Sequence, residues 1–238
     1  MTSEQFIGRI SQALGRQQVP HTITDGFDYS KGPQYSRLRD LDDAGLRAQL
    51  QSQDKVRDFT YFECTTDTLS EVLRGIIDKE DPNRVVVPKD TSADGIDLKA
   101  LLDSVPLYCY DKEANPEAQR AIIESTALGI TIPFRAVADT GTVLELPSDT
   151  CGKIVSLLPV AHISVIFQSR IRATLTDLAS ELDAMASQGA VPSYFLFVSG
   201  PSSTGDIESV MVTGVHGPTR EYYVVVKDRY YKISRSAK

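Results

Sequence analysis

Three short polar segments carry the residue types and spacings that could do chemistry. The first, residues 199–208, reads SGPSSTGDIE and directly follows the apolar run YFLFV. Gly200 and Gly205 open backbone conformations closed to other residues. Pro201 stiffens the turn, and Ser202, Ser203 and Thr204 supply short hydroxyls. Successive N–H groups in such a loop form a concavity suited to phosphate or carboxylate. Asp206 and Glu208 share a side only if their segment is extended. They would then serve as base or nucleophile; otherwise Asp206 merely ties the loop together as an Asx-type turn.

The second segment, GVHGPTR, sets His216 between Gly214 and Gly217, and histidine is the side chain best suited to proton transfer near neutral pH. The third, ADTGT, gathers Asp139, Thr140, Gly141 and Thr142 at the entry to VLEL. It would position a hydroxylated or phosphorylated ligand, or simply turn a hairpin. His162, at the head of ISVIF, reads as a packed or capping residue, and His21 has no assigned role.

Other chemistries are missing. The sequence has no phosphate-binding Gly-x-x-x-x-Gly-Lys loop, no dinucleotide fingerprint and no His-Glu-x-x-His zinc pattern. Cys64, Cys109 and Cys151 stand far apart and offer no iron–sulfur series. An odd number of scattered thiols fits a reducing compartment. No resident cofactor or metal is expected.

The 238 residues carry 25 basic and 32 acidic side chains, a formal charge of −7. That balance argues against sequence-independent nucleic-acid binding; the basic stretch KDRYYKISRSAK reads as solvated. No apolar run reaches membrane-spanning length. MTSEQFIGRISQALG lacks the apolar core of a signal peptide. The expectation is a cytoplasmic protein with no membrane insertion.

The elements that must position these segments follow from periodicity. Residues 5–18 read as an amphipathic helix, and Leu38, Leu41, Leu46 and Leu50 mark a second helical piece. Residues 1–55 have too few apolar side chains for a core of their own and form a helical arm, suited to covering a sheet or clasping a second subunit as a homodimer. From 56 to 238 the rhythm alternates. FTYFEC is a strand, Thr65 or Thr66 caps the helix TLSEVLRGIIDKE, RVVVP is a doubly covered strand, DLKALLDS a helix and PLYCY a strand. EAQRAIIESTALGIT reads as a helix running into a turn. TGTVLEL, AHISVIFQ, the helix TLTDLASELDAMAS and YFLFV follow, and ESVMVTGV pairs with REYYVVVKD as an antiparallel edge around GVHGPTR. Such alternation predicts an α/β fold with a mostly parallel sheet covered on both faces. Its ligand loops should lie at the carboxyl ends of the strands.

Four pieces taken together, ADTGTVLE (138–145), SLLPVAHISVIF (156–167), SGPSSTGDIE (199–208) and GVHGP (214–218), resemble the lactate utilisation protein C family, built on the LUD domain. The resemblance covers roughly residues 60 to 230. It implies a three-layer α/β/α sheet like that of the sugar-phosphate isomerase and CoA-transferase superfamily. It also implies a role in oxidising L-lactate to pyruvate beside two iron–sulfur partner proteins. Carried over by position, the family's patterns fall on Gly200, Pro201, Ser202, Thr204, Asp206, Ile207 and Glu208, on Gly214, His216, Gly217 and Pro218, and on Asp139 to Thr142. Lys153 stands where the family's arginine is expected; the charge is kept, but a planar bidentate clamp is not.

The expected function is therefore a non-metal subunit of a lactate-oxidising assembly. Two alternatives remain: a self-sufficient enzyme or binding protein for a small phosphorylated, acyl or carboxylate ligand, and a pure interaction module. In the enzyme reading Asp206, Glu208 and His216 are catalytic. Asp139, Thr140, Gly141, Thr142, Lys153, Gly200, Ser202, Ser203, Thr204, Gly205 and Gly217 bind the ligand.

Overall fold

The structure, a computed structural model, describes residues 2–16, 32, 37–206 and 210–228, with only the backbone of Asp206 and Val210. Glu208, His21 and the basic stretch beyond residue 228 lie outside the described residues. Residues 1–35 form one compact unit and residues 36–238 another. The first contains helix α1 (Ser3–Ala13). A reciprocal cap starts it: the Thr2 hydroxyl accepts from the Gln5 N–H at 3.3 Å while the Gln5 side chain accepts from the Thr2 N–H at 2.9 Å. It stops short of the expected residue 18, because Gly15 turns left-handed at φ 69°.

The main unit opens with α2 (Asp43–Gln51) and α3 (Asp54–Arg57), then alternates through β1 (Phe59–Thr65), α4 (Leu69–Glu80), β2 (Val85–Val87), α5 (Leu98–Leu101), β3 (Leu107–Cys109), α6 (Pro116–Glu124) and β4 (Leu128–Thr131). There follow β5 (Arg135–Val137), β6 (Thr142–Glu145), α7 (Ile154–Leu157), β7 (Ala161–Phe167), β8 (Ile171–Arg172), α8 (Leu175–Ser187) and β9 (Leu196–Val198). The hairpin β10 (Ser203–Asp206) and β11 (Val210–Thr213) precedes β12 (Arg220–Lys227).

Six strands form a wholly parallel sheet in the order β1-β12-β7-β4-β2-β3. Every residue of β2 and β7 is buried, as strands covered on both faces must be. On one face, α4 and α5 pack Leu69, Leu73, Ile76 and Leu98 against Val85, Ile163 and Val224. The other face is divided. Over β2 and β4 lie α6 and α7, through Ile123 and Val155. Over β1, β12 and β7 lies a second sheet, ordered β8-β5-β6-β9. Its Ala136 and Val143 meet Phe59, Ile166, Tyr223 and Val225, with Leu46 and Leu50 of α2 in the same cluster. Part of the expected second helical layer is thus a sheet, because RAV, TVLE and LFV pair with one another rather than joining the main sheet.

Four local expectations are corrected. The segment REYYVVVKD is not an antiparallel edge. As β12 it lies between β1 and β7, paired in parallel with both, and six consecutive residues are buried. A nearly continuous apolar run stabilises a central parallel strand more than an edge. The turn expected after α6 leads into strand β4. The residue preceding α4 is Thr68, not Thr65 or Thr66; its hydroxyl accepts from the Thr65 N–H at 3.0 Å. Finally, the apolar run YFLFV yields only a three-residue edge strand, Leu196–Val198, with Phe197 exposed.

Gly129 fixes how closely α7 lies on β4. A Cβ there would fall 2.1 Å from the Val155 carbonyl oxygen, so only a glycine admits the contact.

Candidate functional site

The three polar turns meet. The Tyr223 hydroxyl donates to the Gly141 carbonyl at 2.9 Å and lies 3.3 Å from that of Val198, while the Gly200 N–H donates to the same hydroxyl at 3.4 Å. Thr140 donates to Thr142 at 2.8 Å, and Thr142 exchanges a hydrogen bond with Ser199 at 2.7 Å. On the far side of the loop, the Ser202 N–H donates to the Pro218 carbonyl at 2.8 Å. The Gly214 N–H donates to the Ser202 carbonyl at 2.8 Å, and the His216 N–H to the Ser202 hydroxyl at 3.2 Å. Gly217 packs on Ser202, and Asp139 is paired with Arg37 at 2.8 Å. Ser203, Thr204, Gly205 and Asp206 lie on β10, with the backbone of Asp206 opposite Val210. The His216 residue is exposed.

This junction sits at the amino ends of the central strands, not at the carboxyl ends. Gly141 abuts Phe59, the first residue of β1, and the Thr219 N–H bonds the Val160 carbonyl just ahead of β7. The reason is that residues 199–206 follow β9, a strand of the second sheet, so its carboxyl end does not share the main sheet's direction. The N–H groups of Gly200 and Ser202 are spent on bonds within the protein. Gly200, at φ 79°, would put a Cβ 1.9 Å from the Arg57 carbonyl oxygen, so its glycine serves a close backbone approach.

The carboxyl ends of β2 and β4 border a cleft of about 280 Å³, where crevice binding is expected in parallel sheets. Asp90 and Asp94 come from the loop after β2, Phe134 from that after β4 and Arg170 from that after β7. Glu145, at the end of β6, forms part of the wall together with Lys153 and Tyr194. A groove of about 700 Å³, lined by Tyr110, Lys112 and Arg120, shares Cys151, Gly152, Lys153 and Tyr194 with this cleft. Of the ligand residues expected from sequence, Lys153 alone lines either space.

Arg170 pairs with Asp94 at 2.6 Å, and one of its nitrogens donates to the Pro133 carbonyl at 3.2 Å. The Lys153 N–H donates to the Tyr194 hydroxyl at 3.0 Å, and the Lys153 ammonium stands 5.7 Å from the Tyr194 ring centre. Burial, with Glu145 and Asp94 nearby, pushes the Cys151 thiol well above its usual range, so it stays protonated and unreactive at neutral pH.

Behind Glu145 runs a buried polar array. Its Oε1 accepts from the Thr131 hydroxyl at 2.5 Å and its Oε2 from the Ser156 hydroxyl at 2.7 Å. Thr131 Oγ1 lies 2.9 Å from Nε2 of His162, and Nδ1 of His162 lies 2.9 and 3.0 Å from the two oxygens of Glu221. Ser164 donates to Glu221 Oε1 at 2.9 Å. His162 is 0% exposed, Glu221 2% and Glu145 8%. Burial alone disfavours the imidazolium. The charge and hydrogen bond of Glu221, followed by the charge of Glu145, outweigh that and hold the His162 proton affinity above its ordinary value. Burial also raises Glu221, against the pull of His162. The two contacts from Nδ1 to both carboxylate oxygens suit an Nδ1–H donor, as in the imidazolium–carboxylate form.

Glu145, Thr131, Glu221, Asp94 and Arg170 were not singled out from the sequence, and His162 was read as packing. A signal was present: His162 and Ser164 alternate on one face of an otherwise apolar strand. Their partner Glu221, directly opposite His162, is found only once β12 is seen beside β7.

Residues 49–226 match the LUD domain. The chain belongs to the LUD-domain family. Among the similar relatives of this LUD-domain protein is lactate utilization protein C of Bacillus subtilis, 29% identical over 233 residues, covering 95% of this chain and 96% of the relative. That of Macrococcus caseolyticus is 32% identical over 227 residues, with 94% and 95% covered. A crystal structure of a DUF162 family protein from Deinococcus radiodurans superposes with a TM-score of 0.59 at 20% identity, over 78% of this chain and 99% of that one. It supports the α/β architecture of the LUD-domain chain. Among the described residues, no group of three or more His, Cys, Asp or Glu side chains is placed to hold a metal ion. No helix among them is long and apolar enough to cross a membrane.

Proposed function

We propose that this LUD-domain chain is a non-metal subunit of an L-lactate-oxidising system, working in the cytoplasm beside iron–sulfur partner proteins, and that its cleft takes a small carboxylate. The observation that carries the reading is the extent of the likeness to lactate utilization protein C. It spans 94–95% of this chain and 95–96% of those relatives, so it includes the cleft as well as the framework. The Lys153 ammonium in the cleft lining supports an anionic ligand. We assign that ligand to the cleft rather than to the turns at 139–142, 199–206 and 214–218, because the N–H groups of Gly200 and Ser202 are already used. We also infer wider kinship with the sugar-phosphate isomerase and CoA-transferase superfamily, which a parallel sheet with its cleft at the carboxyl edge suits.

The test is genetic and biochemical. A strain lacking this chain should fail to grow on L-lactate yet grow normally on glucose. The wild-type chain should restore growth, and Lys153→Glu should do so poorly. Affinity capture from the native cell should recover iron-containing proteins. Normal growth of the deletion strain on lactate, together with a capture free of iron, would sink the proposal.

A further inference from the structure

The buried array contains more than a structural ion pair needs. Glu221 and His162 satisfy each other, with Ser164 completing Glu221. Yet the imidazole's second nitrogen is connected onward, through one hydroxyl, to a second carboxylate in the wall of a cleft.

Thr131 carries one hydroxyl proton and stands between His162 Nε2 at 2.9 Å and Glu145 Oε1 at 2.5 Å. Two arrangements that keep Glu221 ionised satisfy every contact. In the first, imidazolium Nε2–H donates to Thr131, and Thr131 donates to an ionised Glu145. In the second, a protonated Glu145 donates to Thr131, and Thr131 donates to a neutral imidazole. Passing from one to the other breaks the Nε2–H and Thr131 O–H bonds and forms a new Thr131 O–H and a Glu145 O–H. No side chain rotates, and no electron is transferred. Both arrangements carry the same net charge of −1, since Glu221 stays ionised throughout. What changes is where the charge lies. The first places a carboxylate at the cleft; the second leaves only Glu221, on the far side of the imidazole.

An anion entering the cleft repels an ionised Glu145 and not a protonated one, and so selects the second arrangement. The titratable groups facing His162 are Glu221 on β12 and Glu145 on β6. Cys151 and Tyr223 also feel the charge of Glu145, and both are held protonated by burial.

We propose that Glu145 discharges the cleft for a small carboxylate: it takes a proton from His162 through Thr131 when the ligand binds and returns it when the ligand leaves. Thr131 is the bridge, His162 the proton store and Glu221 the fixed counter-charge. Glu145 is the residue of the set that lines the cleft; the other three are positioning residues. The assignment rests on the carboxylate reading of the cleft given above. On binding, Glu145 takes the stored proton, loses the charge that would repel the ligand and turns from acceptor to donor toward Thr131.

The experiment uses the full chain with L-lactate and pyruvate as probes. It reads affinity by calorimetry and the His162 ring nitrogens by ¹⁵N NMR, resolved from His21 and His216. Either probe at saturation should move wild-type His162 from the doubly protonated ring to the neutral Nδ1–H form at constant pH. Glu145→Gln is always uncharged and always a donor. It should bind the probes at least as tightly as wild type while its His162 signal stays unmoved. Thr131→Val, which keeps the shape and removes the bridge, should bind about tenfold more weakly and show no conversion. Thr131→Ser should restore both. Binding to wild type with an unmoved His162 signal, or a Glu145→Gln chain that folds but binds more weakly, overturns the relay alone. Failure of both probes to bind wild type overturns the carboxylate reading and the relay with it.

Discussion

A histidine buried between two carboxylates makes stability depend on pH. Unfolded, His162 titrates near pH 6.5; folded, Glu221 and Glu145 raise its proton affinity above that. The stabilisation is therefore complete below about pH 6.5 and is lost as the pH rises through the higher folded value. The melting temperature should fall as the pH is raised above neutral. Glu221→Gln leaves the imidazolium buried without its counter-charge and should destabilise the fold by about 3–5 kcal/mol. It should also flatten the pH dependence. Urea titrations at several pH values would measure both, and an unchanged slope would contradict the assignment of the proton to His162. At this scale the sequence was misleading in an instructive way. The polar residues with visible patterns, Asp139 to Thr142, Gly200 to Ser202 and Gly214 to Gly217, are mostly used to brace one another. The buried set is scattered at positions 131, 145, 162 and 221, and its one local sign is the alternation of His162 and Ser164 on β7.

Elements decide what those residues can reach. α7 presents Ser156 to Glu145, and its height above β4 is set by the close approach at Gly129. Gly129→Ala would press a methyl group into the Val155 carbonyl and lift the helix. It should cost about 2–3 kcal/mol, within the range of overpacked cores. It should also perturb the Glu145 environment without touching any titrating group. A denaturation midpoint equal to wild type would contradict the packing described for α7. The alternation of strand and helix from Phe59 to Cys109 was legible because each element carries its own periodicity and breaker. The misplacement of β12 had a different cause. Proximity in sequence favoured pairing with β11, whereas burial on both faces favoured the centre of the sheet, and the larger energy prevailed. β5 and β8, three and two residues long, are too short to give a period.

For the whole molecule, the division falls at residue 35. All four buried apolar clusters among the described residues draw only on the main unit. A chain shortened to residues 36–238 should therefore unfold cooperatively, with a melting temperature within about 2 °C of the full chain. Calorimetry showing a broad, non-cooperative transition would contradict the independence of that core. The α/β class and the family were both legible from the sequence, the first from periodicity and the second from four spaced segments. The cleft was not, because its walls converge from loops after three different parallel strands and from the second sheet.

The strand order also bears on how the protein must be made. Among the described strands β12 leaves the ribosome last, yet it fills the gap between β1 and β7. β7 ends at Phe167 and β12 begins at Arg220, so at ordinary synthesis rates the nascent chain carries two unpaired strand borders for on the order of 3–10 s. Either border can recruit a neighbouring polypeptide in that interval, so overproduction should favour inclusion bodies that slower translation or added chaperone relieves.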